Sequence, residues 1–232
     1  MRQATNPTPS IRHLLSLAVA ATLCVLAGAP LASGACGSHG YSYAGIRANA
    51  PASGISARLT ALRKPFVQNG HVAAWVGVGG AGLGIGGRDE WLQVGIAAFP
   101  NGSSELYYEF VLPGRAPVFV TVRRGIAPGS THVLAVLEER TWPGAWRVWV
   151  DGRAVTRAIY LSGSHGAWPP IATTETWDGG VPSCNAYMYR FADLRVAAFP
   201  GGRWSRMTGG RLLQDPGYRV VAGASGFVAD GA

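Results

Sequence analysis

The sequence contains little cysteine and little charge. Of its 232 residues only three are cysteine and 14% are charged, and Lys64 is the only lysine. Cysteines this few, with no histidine cluster beside them, do not make a structural zinc site. The arginines are scattered, with no cluster longer than a pair such as Arg123-Arg124, whereas nucleic-acid binding usually needs a basic stripe. We therefore expect no metal and no nucleic-acid partner, despite a formal net charge of +8.

Helical patterns and several catalytic motifs are also missing. There is no amphipathic helix of useful length, no G-x-S-x-G elbow and no H-E-x-x-H pair. Residues 82–87, GLGIGG, satisfy G-x-G-x-x-G, but a dinucleotide site needs a helix to begin there. Arg88-Asp89-Glu90 and another strand-like run follow instead. We expect a flexible hairpin loop here and no cofactor.

The first 35 residues have the pattern of a secretory signal peptide. Basic residues precede an apolar run at 14–29, and the small residues 33–35 stand before Cys36. The run has about sixteen residues, which is short for a membrane span of about twenty. The prediction is a signal peptide at 1–35 and one secreted domain at 36–232, monomeric and not attached to a membrane after cleavage. A signal anchor is the alternative.

The cysteines agree with export. Loss of the leader removes Cys24 and leaves Cys36 and Cys184. In an oxidising compartment two cysteines predict one disulfide. A lipidated Cys36 and two free thiols are the alternatives, and Ser33, in place of leucine three residues before Cys36, disfavours lipidation.

Beyond the leader the sequence consists of short β-like runs separated by Gly, Pro, Asn and Asp. The runs are HVAAWVGV, EWLQVGIAAF, ELYYEFVL, PVFVTVR, THVLAVLE, AWRVWVD, AVTRAIYL, IATTETW, YMYRFADLRV and GYRVVAG. Ten or more strands joined by turns predict an all-β protein. We expect a two-sheet antiparallel β-sandwich, a concanavalin-like jelly roll, in one domain.

The run EWLQVGIAAF carries a glutamine on one of its two faces. Side chains along a strand alternate, so Leu92, Val94 and Ile96 share one face while Trp91, Gln93 and Gly95 share the other. The same alternation applied to other runs gives a second set of polar and aromatic residues that can share a surface. The set is Trp75, Gln93, Tyr107, Glu109, Glu175 and Trp177. Their assembly on one sheet is assumed at this point.

These residues resemble a known family. AAWVGVGG followed by EWLQVGI, then YYEF, then TETW is similar to the glutamic peptidases, or eqolisins. These are secreted acid endopeptidases with the pattern W-V-G-I-D-G, L-Q-T-G, W-Y-E-W-Y-P and A-E-W. The resemblance runs over about residues 43–193. It implies a two-sheet jelly roll and a catalytic pair of Gln93 and Glu175.

The sequence departs from the family's pattern at two motifs. Glycine follows Trp75-Val-Gly-Val where the family has aspartate, and Val111-Leu112 follow Phe110 where the family has a further aromatic residue. These differences mark either a divergent bacterial-type member with altered specificity or a relative that kept the fold and lost the activity.

The predicted function is hydrolysis of peptide bonds in a protein or peptide substrate. Glu175 would be the general base, and the Gln93 amide would hold the water and the oxyanion, which requires the two groups to approach within about 5 Å. The predicted substrate-binding residues are Trp75, Tyr107, Glu109 and Trp177. The alternative is a non-catalytic concanavalin-like sandwich that binds polysaccharide or peptide by stacking on its aromatic rings. An exported structural domain without a ligand is the third hypothesis.

Overall fold

The strands follow the apolar runs and end at the glycine, proline and asparagine turns between them. A computed structural model describes residues 40–231, and the only helical element within them is a short 3-10 turn at Ile85–Gly87. In chain order the strands are β1 (Tyr41–Arg47), β2 (Gly54–Ala61), β3 (His71–Gly80), β4 (Glu90–Ala98), β5 (Ser104–Val111), β6 (Val118–Arg124), β7 (Thr131–Glu138), β8 (Ala145–Val150), β9 (Arg153–Ala154), β10 (Ile159–Tyr160), β11 (Ile171–Trp177), β12 (Tyr187–Phe199), β13 (Gly202–Arg206), β14 (Arg211–Gln214), β15 (Tyr218–Gly223) and β16 (Gly226–Gly231).

The strands form two antiparallel sheets. Sheet A has seven strands in the order β14-β1-β11-β3-β4-β5-β6. Sheet B has nine, in the order β10-β8-β7-β2-β12-β16-β15, with β13 paired to β12 and β9 paired to β8. The predicted all-β, two-sheet sandwich of the concanavalin-like jelly-roll class is confirmed.

The main core lies between the two sheets and is built from inward-facing residues of both. Leu92, Val94 and Ile96 of β4 are fully buried in it. From sheet B, Leu59 of β2 and Leu134 of β7 belong to the same cluster. The alternation of EWLQVGIAAF therefore divides as predicted, with its aliphatic row facing the interior.

A second, smaller apolar cluster covers the outer face of sheet A. It contains Ala73 and Trp75 of β3, Ala97 of β4 and Tyr107 of β5. These residues have the same strand parity as Gln93, so they lie on the face turned away from the main core. This outer layer forms the floor on which the polar residues of the candidate site stand.

Some parts of the chain differ from the sequence prediction or fall outside the described residues. The run AVTRAIYL, predicted as one strand, forms only the two-residue strands β9 and β10, with a loop between them. Residues 82–87 lie in the connection between antiparallel β3 and β4, as expected of a hairpin loop. The predicted signal peptide lies outside the described residues. Among residues 40–231 no helix is long and apolar enough to cross a membrane.

The predicted disulfide involves one residue within the described part of the chain and one outside it. Cys184 lies in the loop before β12, where its backbone N–H donates to Gln68 Oε1 at 2.8 Å. Cys36 precedes the described residues, so the pairing of Cys36 with Cys184 stays a prediction.

Candidate active site

A cavity of about 620 Å³ opens on the outer face of sheet A. Four of the six predicted site residues line it, each from a different strand. They are Glu175 of β11, Trp75 of β3, Gln93 of β4 and Glu109 of β5. Because β11, β3, β4 and β5 are consecutive neighbours in sheet A, the assumed assembly of these residues on one sheet is correct.

Two hydrogen bonds hold the Glu175 carboxyl group. Trp75 Nε1 donates to Glu175 Oε2 at 3.1 Å, and His71 Nε2 lies 3.2 Å from Glu175 Oε1. Both partners come from β3, the strand next to Glu175 in the sheet. Each carboxyl oxygen has one donor beside it, so the group is oriented while further lone pairs remain for a water molecule.

Gln93 lies over a gap left by a glycine. On β3 its cross-strand neighbour is Gly77, and a Cβ added there would lie 2.9 Å from Gln93 Cβ. The Gln93 Nε2 donates to the Tyr107 hydroxyl at 3.1 Å, and the side chain is buried. The amide nitrogen has two hydrogens, so one is still available to a substrate.

Gln93 and Glu175 lie on either side of β3. Gln93 is level with Gly77 and Glu175 with Ala73, with the Trp75 side chain between these two levels. The backbones of Gln93 and Glu175 are therefore offset by four residues along the strand direction, which is about 13 Å, and by two strand spacings across the sheet, which is about 10 Å. The structure brings both residues to one cavity, but approach of their side chains to within about 5 Å stays a prediction.

Glu109 is a second carboxyl group in the cavity, and its pKa is raised to about 7. Burial is the largest cause because it disfavours the charged form, and the negative charge of Glu175 adds to it. His71 and a hydrogen bond from Trp91 act in the opposite direction. Glu109 is therefore mostly protonated below about pH 7, directly across from Gln93 in the sheet.

The remaining predicted site residues, Tyr107 and Trp177, lie beside the cavity. Tyr107 is buried, with the Phe119 ring stacked on it at 4.7 Å between ring centroids. Trp177 is partly exposed at the end of β11 and stacks on Tyr41 at 6.3 Å. Tyr107 thus holds the Gln93 amide, while Trp177 packs against Tyr41 and His71 and lines neither cavity.

His71 and Tyr43 are residues of the site that the sequence prediction does not include. His71 has the strand parity of Trp75 in the run HVAAWVGV. Tyr43 of β1 lies directly across from Glu175 and lines the cavity. Burial and the charge of Glu175 raise the pKa of Tyr43 well above its usual range, so its hydroxyl stays protonated and can donate a hydrogen bond.

No metal site lies within the described part of the chain. Residues 40–231 hold no group of three or more His, Cys, Asp or Glu side chains placed to bind an ion. The cavity is lined by two carboxyl groups, an amide and a phenol.

Gly77→Ala is expected to disturb both the site and the pairing of β3 with β4. The new Cβ would lie 2.6 Å from Leu92 O and 2.9 Å from Gln93 Cβ, so β3 and β4 must move apart locally. A displacement of about 1 Å at a catalytic group costs on the order of a hundredfold in rate. The measurement is kcat for the peptide hydrolysis that the sequence predicts, together with the melting temperature. Gly223→Ala of β15 is the control, since a Cβ there meets its nearest atom at an ordinary 3.5 Å. Unchanged kcat in Gly77→Ala would show that the gap is not needed.

Comparisons with known proteins find similarity in structure but not in sequence. Neither a scan against protein-family models nor a search of curated proteins finds a match to this chain. The fold is similar to that of scytalido-glutamic peptidase with a peptide-based transition state analog, with a TM-score of 0.56 and 14% identity over 84% of this chain and 98% of that one. It is also similar to SCP-B, a member of the eqolisin family of peptidases in a complex with the tripeptide Ala-Ile-His, with a TM-score of 0.54 and 13% identity over the same shares of the two chains. The chain therefore has the fold of the glutamic peptidases.

Proposed function

We propose that the protein is an exported endopeptidase that hydrolyses peptide bonds with a water activated by Glu175. The observation that carries this proposal is the placement of Glu175 and Gln93 on one sheet face, in one cavity, with the carboxyl group oriented by two donors. The structural neighbours support it, since both were solved with a peptide or a peptide-like inhibitor.

In the proposed reaction Glu175 accepts a proton from water as the hydroxide attacks the carbonyl carbon of the substrate. The carbonyl oxygen becomes an oxyanion, and the tetrahedral carbon then releases the amine. The proton held by Glu175 passes to the leaving nitrogen as the C–N bond breaks. The products are one new carboxyl and one new amino terminus, and Glu175 is again ionised.

The oxyanion needs donors that are in place before it forms. The second N–H of the Gln93 amide is one, because only the first is used by Tyr107. Protonated Glu109, directly across from Gln93, is the other. A neutral carboxylic acid in a largely buried site can donate a hydrogen bond to a developing anion. Gln93, Glu109 and Glu175 must therefore all reach one substrate carbonyl group, which requires the side chains of Gln93 and Glu175 to approach within about 5 Å.

Glu109→Gln is expected to change the pH dependence of the reaction. In the wild type Glu109 must be protonated, so kcat should fall as the pH rises through about 7, where this carboxyl ionises. Glutamine keeps a hydrogen-bond donor at the same place but does not titrate, so the decline above pH 7 should disappear. The measurement is kcat against pH for both proteins. An unchanged alkaline limb in the variant would remove Glu109 from the mechanism.

The direct experiment is digestion of a denatured protein substrate by the exported protein from acid to neutral pH, in parallel with Glu175→Gln. New termini that form with the wild type and not with the variant support the proposal. An inert wild type at every pH contradicts it.

A second function, binding without catalysis, is favoured by the aromatic rings at the cavity mouth. Tyr41 stacks with Tyr43 at 6.4 Å and with Trp177 at 6.3 Å, and Tyr41 and Trp177 are partly open to solvent. Such rings are platforms for a sugar or a peptide. If the protein only binds, the wild type should hydrolyse no peptide at any pH. Its affinity for the sugar or peptide ligand should then fall in Trp177→Ala.

A further inference from the structure

A smaller pocket lies beside Glu175 on the outer face of sheet A. It has a volume of about 120 Å³ and is distinct from the main cavity, although Glu175, Glu109 and His71 border both. Its remaining lining is apolar and comes from β3, β4, β5, β6 and the residue that follows β4.

The pocket has a floor of methyl groups and walls of aromatic rings. Ala73 and Ala97 are cross-strand neighbours at the floor, and both are almost fully buried. The rings of Tyr107 and Phe119 are stacked, and Phe99 meets Phe119 edge-on at 6.2 Å. Small residues at the floor and large ones around it leave a recess that no side chain of the described chain fills.

We propose that this recess binds the uncharged aliphatic side chain of the substrate residue next to the scissile bond, and this rests on the proposed peptidase function. Glu175 borders both the recess and the cavity in which the carbonyl group is attacked. A substrate residue whose carbonyl lies against Glu175 therefore has the recess within the reach of its side chain.

The size of the recess selects among apolar side chains. A cavity of about 150 Å³ lined by apolar residues is large enough for benzene. At about 120 Å³ the recess is smaller, so leucine and methionine fit better than phenylalanine or tryptophan. Glycine and alanine would leave it partly empty.

The charges at the rim disfavour ionised side chains. Glu175 and Glu109 repel an acidic side chain, and His71 repels a basic one when it is protonated. Below about pH 7 Glu109 is mostly neutral, and Glu175 is already hydrogen-bonded to His71 and Trp75. A lysine ammonium in the recess would pair with Glu175 and occupy the lone pairs that the attacking water needs, so it would oppose hydrolysis.

The test uses two sets of peptides. In the first set only the residue on one side of the scissile bond changes, and it is Gly, Ala, Leu, Phe, Lys or Asp. In the second set the residue on the other side of the bond changes in the same way. One methylene in an apolar pocket changes kcat/KM by about 10-fold to 200-fold, so Leu should exceed Ala by at least tenfold on one of the two sides. Assays are run below about pH 7, where Glu109 is protonated.

Two variants change the recess in opposite directions. Ala97→Leu fills the floor and should lower kcat/KM for the Leu peptide at least about tenfold while the Ala peptide changes little. Phe119→Ala opens one wall and should raise the Phe peptide relative to the Leu peptide; Phe119 is 42% exposed, so the fold tolerates its loss. Val118→Ala is the matched control, since Val118 is equally exposed and faces the other side of β6.

The outcomes separate this inference from the function on which it rests. A wild type that cleaves none of the peptides or a denatured protein contradicts the peptidase function itself. Cleavage that prefers Lys or Asp, or that shows no preference, overturns the aliphatic recess and leaves the peptidase function standing. If Ala97→Leu does not fold, an unchanged ratio of Phe to Leu cleavage in Phe119→Ala overturns the inference alone.

Discussion

Glu175→Gln is expected to lower kcat for peptide hydrolysis by at least about a hundredfold, the lower range for loss of acid–base catalysis. Glutamine has nearly the same shape and can still accept the hydrogen bond from Trp75 Nε1. It cannot take a proton from water at any pH in the working range. Substrate affinity should change little, because the lost interaction acts on the transition state.

Glu139→Gln is the control for this variant. Glu139 follows β7, pairs with Arg147 of β8 and lies outside both cavities. Glu139→Gln makes the same chemical change as Glu175→Gln but at a partly exposed ion pair, and such a pair contributes little to stability. Full activity in Glu139→Gln and an unchanged melting temperature in Glu175→Gln would isolate the loss to the site. Hydrolysis that survives Glu175→Gln would assign the general base to another group.

The alternation of residues along strands was enough to predict the two faces of sheet A. In EWLQVGIAAF the period of two separates Leu92 from Gln93, and the structure places them on opposite faces as expected. The same rule correctly grouped Trp75, Glu109 and Glu175 on the outer face. Parity works here because a one-residue slip of register would turn the whole aliphatic row towards solvent.

The order of the strands is what the sequence did not provide. Strand β1, with the sequence YSYAGIR, places Tyr43 opposite Glu175 although about 130 residues lie between them in the chain. A glycine interrupts its apolar pattern, and its pairing with β11 and β14 depends on tertiary packing rather than on local propensity. Its contribution to the cavity could therefore not be predicted from the run itself.

His71 illustrates a related limit. Its strand parity with Trp75 placed it on the outer face, but contact with Glu175 depends on the register between β3 and β11. In that register His71 is level with Trp177, two residues beyond Glu175, and its ring reaches back to the carboxyl group. The sequence alone does not show which of its dispersed histidines has a carboxylate neighbour.

Gln93→Ala is expected to lower kcat by about a hundredfold or more, the usual cost of removing one oxyanion donor. The change leaves Glu175, Trp75 and His71 in place, so the water can still be activated. Tyr107 loses the donor to its hydroxyl, which is a buried group, and stability should fall modestly as well. Melting temperatures therefore accompany the kinetics.

Tyr107→Phe separates the two effects of the Gln93 variant. It removes the hydroxyl that accepts from Gln93 Nε2 but leaves the amide, so its kcat should fall less than that of Gln93→Ala. If the amide acts on the oxyanion, Gln93→Ala lowers kcat far more than Tyr107→Phe at similar stability. If Gln93 only fills space beside Gly77 and Tyr107, the two variants lose the same small amount of activity, and Glu175 would then act without an amide partner.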